Sequence, residues 1–315
     1  MSAAKTEVLA MLAAGESQRE VSRRTGISRK TLYRWAEDAP RPDAAPRRHF
    51  IIPDTQVKAG DPTDHMDWIG KAIRHYKPDV VIHLGDHWDF PSLSKYASAA
   101  EREGARIAGD IKAGNDALRR LHKAMGNFNG RKVILRGNHE DRLARFLREN
   151  PQLEGSLGFN QFCDAELGWE IVPYVGASPG QVVIDGVTYA HYFPNPSTSK
   201  PIGGTIANRI AKIGTTFVQG HVQGLMRGDV PLATGKTSRG IVAGSCYLHD
   251  EGYRGICNKE DRCVIVLNGL NQGRFLEMVV DLDYLCRKYE HMSVARYLRE
   301  HYKNAEQRFT LARAA

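Results

Sequence analysis

Five short polar clusters punctuate this chain, and four of them end runs rich in branched apolar residues, at 50–52, 80–84, 132–135 and 215–218. Runs of that length and composition read as buried strands, either parallel or in a sandwich. The clusters are Asp54-Thr55-Gln56, Gly85-Asp86-His87-Trp88-Asp89, Gly137-Asn138-His139-Glu140, an isolated His191, and Gly220-His221-Val222-Gln223. Side chains hung from strand ends can converge on one point while the sheet holds them still, an arrangement suited to a metal site. Singly, each cluster has an ordinary reading, since Gly-Asp and Gly-Asn are common turn dipeptides and a lone histidine in an apolar setting is usually core. The ordered set is what points to chemistry.

That chemistry asks for these residue types. A carboxylate such as Asp86 offers one oxygen to each of two cations, and two cations about 3.5–4 Å apart polarise a phosphoryl group and hold a hydroxide between them. The departing alkoxide then needs a proton, which a histidine held by a carboxylate donates near neutral pH. His139 stands beside Asn138 in the third cluster, so it lies near the metals without having to bind them.

The order and spacing resemble the calcineurin-like metallophosphoesterase superfamily, whose pattern is D-x-H, G-D-x-x-D, G-N-H-[DE], H, G-H-x-H, over residues 49–283. The resemblance implies an α/β fold, a two-sheet β-sandwich flanked by helices, that holds two divalent metal ions. It implies that Asp86 bridges them, that Asp54, Gln56 and Gln223 complete the first site, and that Asn138, His191 and His221 complete the second. His139 is implied as the general acid, oriented by Asp89. Two positions depart from the pattern: Gln56 and Gln223 stand where the family has histidine, and both fall on the first metal. An all-oxygen first site suits Mg²⁺ or Mn²⁺, and a second site with two imidazoles suits Mn²⁺, Fe²⁺ or Zn²⁺, which makes Mn²⁺ the first expectation. A neutral amide is a weaker ligand than imidazole, so the pair of metals should be unequal.

The first 36 residues carry a different signal. Three short helices are predicted, over 5–14, 17–24 and 28–37, with Ser17 and Glu20 as a capping box and Ser28 as a second N-cap. Gly26 supplies the positive φ of the tight turn between the last two. Val8, Leu9, Leu12, Val21, Ile27, Leu32 and Trp35 are spaced to build one small core. The segment resembles the helix-turn-helix of resolvases, transposases and phage terminase small subunits, whose third helix enters the major groove. Ser28, Arg29, Lys30, Tyr33 and Arg34 would then face DNA, a cationic surface suited to phosphates and guanine edges. The plainer reading is a small helical module for protein contact, its basic residues a solvated face.

Charge follows the same division. Residues 1–48 hold ten Lys/Arg against six Asp/Glu and residues 287–315 hold seven against three, so the formal charge of +8 sits at the two ends around a neutral body. A polyanion would be drawn to such flanks, less so in salt. Pro40, Pro42 and Pro46 make residues 37–48 a semi-extended linker, and residues 284–315 form a basic segment with a predicted helix over 293–304. No signal peptide is expected, and no apolar run approaches the roughly 18 residues a membrane span needs. The five cysteines are odd in number and lack a zinc pattern, which fits free thiols in a reducing cytoplasm; the family resemblances imply that of a bacterium or phage-infected host. His83 reads as core, and His87 and Trp88 as either cleft lining or packing; His249 has no evident partner. A helical stretch over 99–125, a helix over 141–149 whose Arg142 reads as surface within reach of a phosphate, and a loop over the site at 194–204 complete the plan.

Together these features describe a metallophosphoesterase that hydrolyses phosphodiesters in DNA by a metal-bridged hydroxide and is recruited by a helix-turn-helix. A phosphomonoesterase or nucleotide hydrolase is one alternative; the protein phosphatases of the superfamily follow the second aspartate with Arg-Gly, whereas here Asp89 precedes Phe90-Pro91. A DNA-binding regulator with a vestigial metal site is the other.

Overall fold

In the computed structural model, residues 5, 7, 8, 11, 17–38, 47–95, 102–233, 235–251 and 261–313 are described. The branched apolar runs become strands of two stacked sheets. The first contains β1 (Arg47–Ile52), β2 (Val80–His83), β3 (Arg131–Leu135) and β4 (Glu170–Val172), all parallel, with β10 (Cys263–Asn271) and β11 (Arg274–Asp281) added antiparallel beyond β1. The second has the order β5 (Gln181–Ile184), β6 (Val187–Ala190), β7 (Phe217–Gln219), β9 (Thr237–Ala243), β8 (Leu225–Pro231), with β6, β7 and β9 parallel. This is the two-sheet α/β sandwich expected of the chain.

Alternation along the strands divides the core. Ile51, Ile82, Val133 and Ile265 point inward to meet Val187, Tyr189, Val218 and Ile241 between the sheets. Phe50, Ile52, Val81 and Ile134 point outward onto α3 (His65–Tyr76) and α4 (Ile107–Met125), burying Trp68, Ile69, Ile73, Leu118 and Leu121. Each such large side chain removed from water stabilises the fold by roughly 1.5–3 kcal/mol. The second sheet is covered by α6 (Ile206–Ile213), through Ile210 against Phe217.

The N-terminal reading holds with one-residue shifts. Residues 5, 7, 8 and 11 are helical; α1 (Gln18–Thr25) begins where Ser17 Oγ accepts the Glu20 N–H at 3.2 Å, and ends at Gly26 with φ 69°. Ser28 Oγ accepts the Thr31 N–H at 3.2 Å at the start of α2 (Arg29–Asp38). Val8, Val21 and Leu32 are buried together, with Met11, Ile27 and Trp35 packed on them. Leu9, Leu12, most of the linker and the side chains of Tyr33 and Arg34 lie outside the described residues.

At the other end the basic segment packs on the main body. The predicted basic helix is α8 (Val294–His301), preceded by α7 (Leu282–Glu290), and its apolar face joins the main core through Val294, Tyr297 and Leu298. The cations of this segment serve the fold: on α8, Arg296 Nε meets Glu300 at 2.7 Å and Arg299 Nη1 donates to Ala312 O at 2.8 Å, and beyond it Arg308 Nη2 donates to Gly60 O at 2.9 Å. The sum of charges could not show that these groups had partners. Cys163, Cys246, Cys263 and Cys286 are free and buried; Cys257 lies outside the described residues. Among the described residues, no helix is long and apolar enough to cross a membrane.

Candidate metal centre

All five clusters sit where strands end. Asp54 follows β1, Asp86 follows β2, Asn138 follows β3, His191 follows β6 and His221 follows β7, so parallel strands of both sheets deliver their loops to one edge. The strand before His191 is the one whose apolar run was too short to stand out. Gln56, Asp86, His221 and Gln223 have φ of 37°, 51°, 70° and 65°, a left-handed backbone that costs a residue bearing a side chain and persists only when its surroundings enforce it. Such outliers gather at functional sites. Two glycines permit the approach: a Cβ at Gly137 would collide with the Asp86 carboxylate, and one at Gly220 with that of Asp54.

One carboxylate organises these loops. Glu140, buried at the start of α5 (Glu140–Glu149), accepts backbone N–H groups from Gly137 at 2.7 Å, Asp86 at 3.1 Å, His87 at 2.6 Å and Trp88 at 3.0 Å. It thereby ties the second cluster to the third. Its identity was visible in G-N-H-E, but nothing local announced that it would cap a loop more than fifty residues away.

Donor atoms of Asp86, His191 and His221 all lie within 4.8 Å of one another. His191 Nδ1 donates to Leu84 O at 2.9 Å, which turns Nε2 toward two oxygens, Asn138 Oδ1 at 3.0 Å and Asp86 Oδ2 at 3.2 Å. Three acceptors facing one another need a cation between them or a proton on the ring, and the donor set of one carboxylate, one amide and two imidazoles fits a divalent ion. Burial works against a charged ring at His191, but Asp86 outweighs it and pushes the pKa up to about 9. At His221 burial, aided by His191, pushes it down to about 3, leaving a neutral imidazole of the kind that ligates metal. Asp86 remains ionised because His139 and His191 overcome its burial.

The other group of expected ligands is less charged. Asp54 is fully buried, and burial raises its carboxyl to about 7 even though it accepts the His221 N–H at 3.0 Å. Gln56 is buried and its N–H donates to Asp86 O at 2.8 Å. Gln223 is buried too, and its Oε1 accepts the Tyr247 hydroxyl at 2.9 Å.

His139 adjoins this group, with Nε2 3.7 Å from Asp86 Oδ2, and its Nδ1 donates to Asp89 Oδ1. Burial opposes charge on the ring, but Asp86 and Asp89 outweigh it and raise its pKa above the ordinary value. Arg142 is not the solvated surface residue expected. Its side chain is only 13% exposed; Nη1 donates to Asp89 O at 2.8 Å and Nη2 lies 3.0 Å from His139 Nε2. On the other flank Lys58 Nζ lies 3.8 Å from Asp89 Oδ2 and meets both Glu251 oxygens at 2.8 Å. Glu251 also pairs with His249 Nε2 at 2.7 Å, a partner only two positions away in the sequence.

His83 and His87 resolve as packing. His83 Nε2 donates to Thr55 Oγ1 (3.1 Å), the Thr55 hydroxyl donates to His87 Nδ1 (2.7 Å), and His87 Nε2 donates to Gly114 O (2.9 Å). This chain of neutral rings supports the floor of the site.

Residues 48–224 match the profile of the calcineurin-like phosphoesterases, and residues 4–38 match that of a helix-turn-helix domain. The chain is similar to the gene 54 proteins of Mycobacterium phages L5 and D29. It is 27% identical to the first over 183 residues, covering 56% of this chain and 68% of the relative, and 26% identical to the second over 182 residues with the same coverage. Among solved structures, one described as a novel archaeal phosphodiesterase overlaps 74% of this chain and 99% of its own at 15% identity and a TM-score of 0.36.

Proposed function

Because the chain belongs to the calcineurin-like phosphoesterase family, we propose that it is a metal-dependent phosphodiesterase that hydrolyses DNA and is brought to it by the helix-turn-helix domain. The observation that carries this reading is the buried His139–Asp89 pair set beside the convergent Asp86, His191 and His221. Asp54, Gln56, Asp86 and Gln223 would hold one ion, and Asp86, Asn138, His191 and His221 the other, with Mn²⁺ the best match to both donor sets. Bound there, divalent ions supply Lewis-acid polarisation of the phosphoryl group and activate the attacking water. The protein's own part is to hold the loops through Glu140 and to deliver a proton from His139 Nε2 to the leaving oxygen, with Asp89 fixing the ring through Nδ1; Arg142 Nη2, which donates to Nε2 here, must turn aside for that nitrogen to carry the proton.

A diester is favoured over a monoester because Phe90-Pro91 stand where a monoesterase of this superfamily places Arg-Gly to clamp a dianion. The exposed Arg29 and Lys30 at the start of α2, beside Ser28, support DNA as the partner, with Tyr33 and Arg34 on the same helix. On this reading residues 1–36 hold DNA, 37–48 link, 49–283 hydrolyse and 284–315 complete the body. The phage relatives favour action in the cytoplasm of an infected bacterium.

The test is incubation of the protein with Mn²⁺ or Mg²⁺ on bis-p-nitrophenyl phosphate and on circular single-stranded and duplex DNA. Cleaved circles establish an endonuclease. Hydrolysis of the small diester with no attack on any DNA would overturn the DNA assignment.

A further inference from the structure

Beside His139 lies a pocket of about 90 Å³ between α5 and the segment that follows the second cluster, lined by Leu93, Lys95, Arg142, Arg145, Phe146 and Glu149. At roughly 10–15 Å³ of such volume per water, it holds a group the size of one phosphate with some solvent. Three of its six lining residues are cations and one is an anion. Arg142 forms the shared wall: it lines the pocket, and its Nη2 stands 3.0 Å from His139 Nε2. The other two cations are loosely engaged: Lys95 Nζ is 3.6 Å from Glu149 in a pair whose side chains are 72% and 64% exposed, and Arg145 Nε is 3.3 Å from Asp141. The exposed Lys95–Glu149 pair contributes little and exchanges readily for a better anion, and Arg145, itself 45% exposed, has further N–H groups to offer one.

We infer that this pocket receives the next phosphate of a nucleic-acid strand, on the side of the leaving group. The inference rests on the DNA-hydrolase reading, in which His139 protonates the leaving oxygen. In a polynucleotide that oxygen carries the rest of the strand, which must therefore run out past His139, where Arg142 joins the two places. Leu93 and Phe146 add an apolar wall against which the intervening sugar or base can rest. The site is thus built for a polymer, not for an isolated diester.

The experiment uses the full chain with Mn²⁺ and dithymidine monophosphate, which contains a single diester. The half released as a free alcohol identifies the leaving side. Kinetics are then compared for three substrates: the bare dinucleotide, one with an extra terminal phosphate on the leaving half, and one with it on the opposite half. The extra phosphate on the leaving half should lower KM by about tenfold, the worth of one charge-assisted hydrogen bond, and the opposite one should not. Lys95→Ala with Arg145→Ala should reduce that gain to about twofold, and Arg145→Glu should turn it into a penalty. Equal effects from the two phosphates, or a gain that survives the double substitution, would overturn the subsite while leaving DNA hydrolysis standing. If the wild type splits bis-p-nitrophenyl phosphate but no nucleotide diester, the DNA reading fails and the subsite falls with it.

Discussion

The Glu140 carboxylate accepts the His87 backbone N–H at 2.6 Å, although the two residues belong to different strand-end loops. With the three other N–H groups that it accepts, it fixes the loop bearing Asp86 against the loop bearing Asn138. Glu140→Ala should leave four buried donors unsatisfied at a cost of roughly 1–3 kcal/mol for the worst of them, lowering Tm by several degrees and reducing bound metal. Glu140→Gln, which retains one acceptor oxygen, should fall between. Calorimetry with metal analysis checks both, and an unchanged metal content in Glu140→Ala would remove its organising role.

His139→Ala should keep its metal and lose turnover by roughly 10²–10⁴-fold on DNA. The loss should be smallest on bis-p-nitrophenyl phosphate, whose leaving group departs without a proton. Asp89→Asn should show the same dependence on leaving group, more weakly. Equal losses on good and poor leaving groups would deny His139 the role of acid.

Gln56→His with Gln223→His should tighten Zn²⁺ or Mn²⁺ at the weaker site. Tyr247→Phe should act in the same direction on a smaller scale, since it releases Gln223 Oε1 from the Tyr247 hydroxyl. Titration that finds two equal, tight sites in the wild type and no change in the double variant would remove the glutamines from the ligand set.

These residues also mark how far the sequence was legible. Ligand candidates at strand ends, the Ser17 and Ser28 caps and the left-handed Gly26 follow from local patterns, and the structure brings Asp86, Asn138, His191 and His221 together. What stayed hidden were choices of distant partner. Glu140 and Arg142 depend on which strands lie side by side in the first sheet, the Gln223–Tyr247 bond on the same choice in the second, and the Lys58–Glu251 pair on how the two sheets stack. For the basic C-terminal helix, charge counts showed the cations but not their partners, such as the Ala312 carbonyl for Arg299.

Deletion of residues 1–46 should weaken duplex DNA binding while the small diester is still hydrolysed. Arg29→Ala with Lys30→Ala should reproduce much of the loss and flatten the dependence of log K on log salt by about 0.9 for each phosphate contact removed. Undiminished binding by the truncated chain across a salt series would make the domain a protein-contact module.

Acid should destabilise the fold through buried neutral histidines. Burial pushes the pKa of His65 down to about 3 and that of His87 to about 4, whereas an unfolded imidazole takes its proton near 6.5. Below 6.5 the unfolded state therefore binds protons that the native state refuses, and stability falls as pH drops from about 6.5 toward 4, by roughly 1.4 kcal/mol per pH unit for each ring. Above 7 these two groups contribute no slope. Among the described residues neither ring nitrogen of His65 has a hydrogen-bond partner, so His65→Leu should preserve stability at pH 7 and flatten the acid limb. An unaltered slope in that variant would place the acid sensitivity elsewhere.

The N–H of His221 reaches the carboxylate of Asp54 across 167 positions of sequence, and the strands that carry them lie in different sheets. No short fragment can therefore assemble the centre. In a small zinc module the metal nucleates the fold, but here capture of an ion must come after both sheets have formed and stacked. Tight occupancy is in that sense a certificate of finished topology, and the release of metal during unfolding should coincide with the separation of the two sheets.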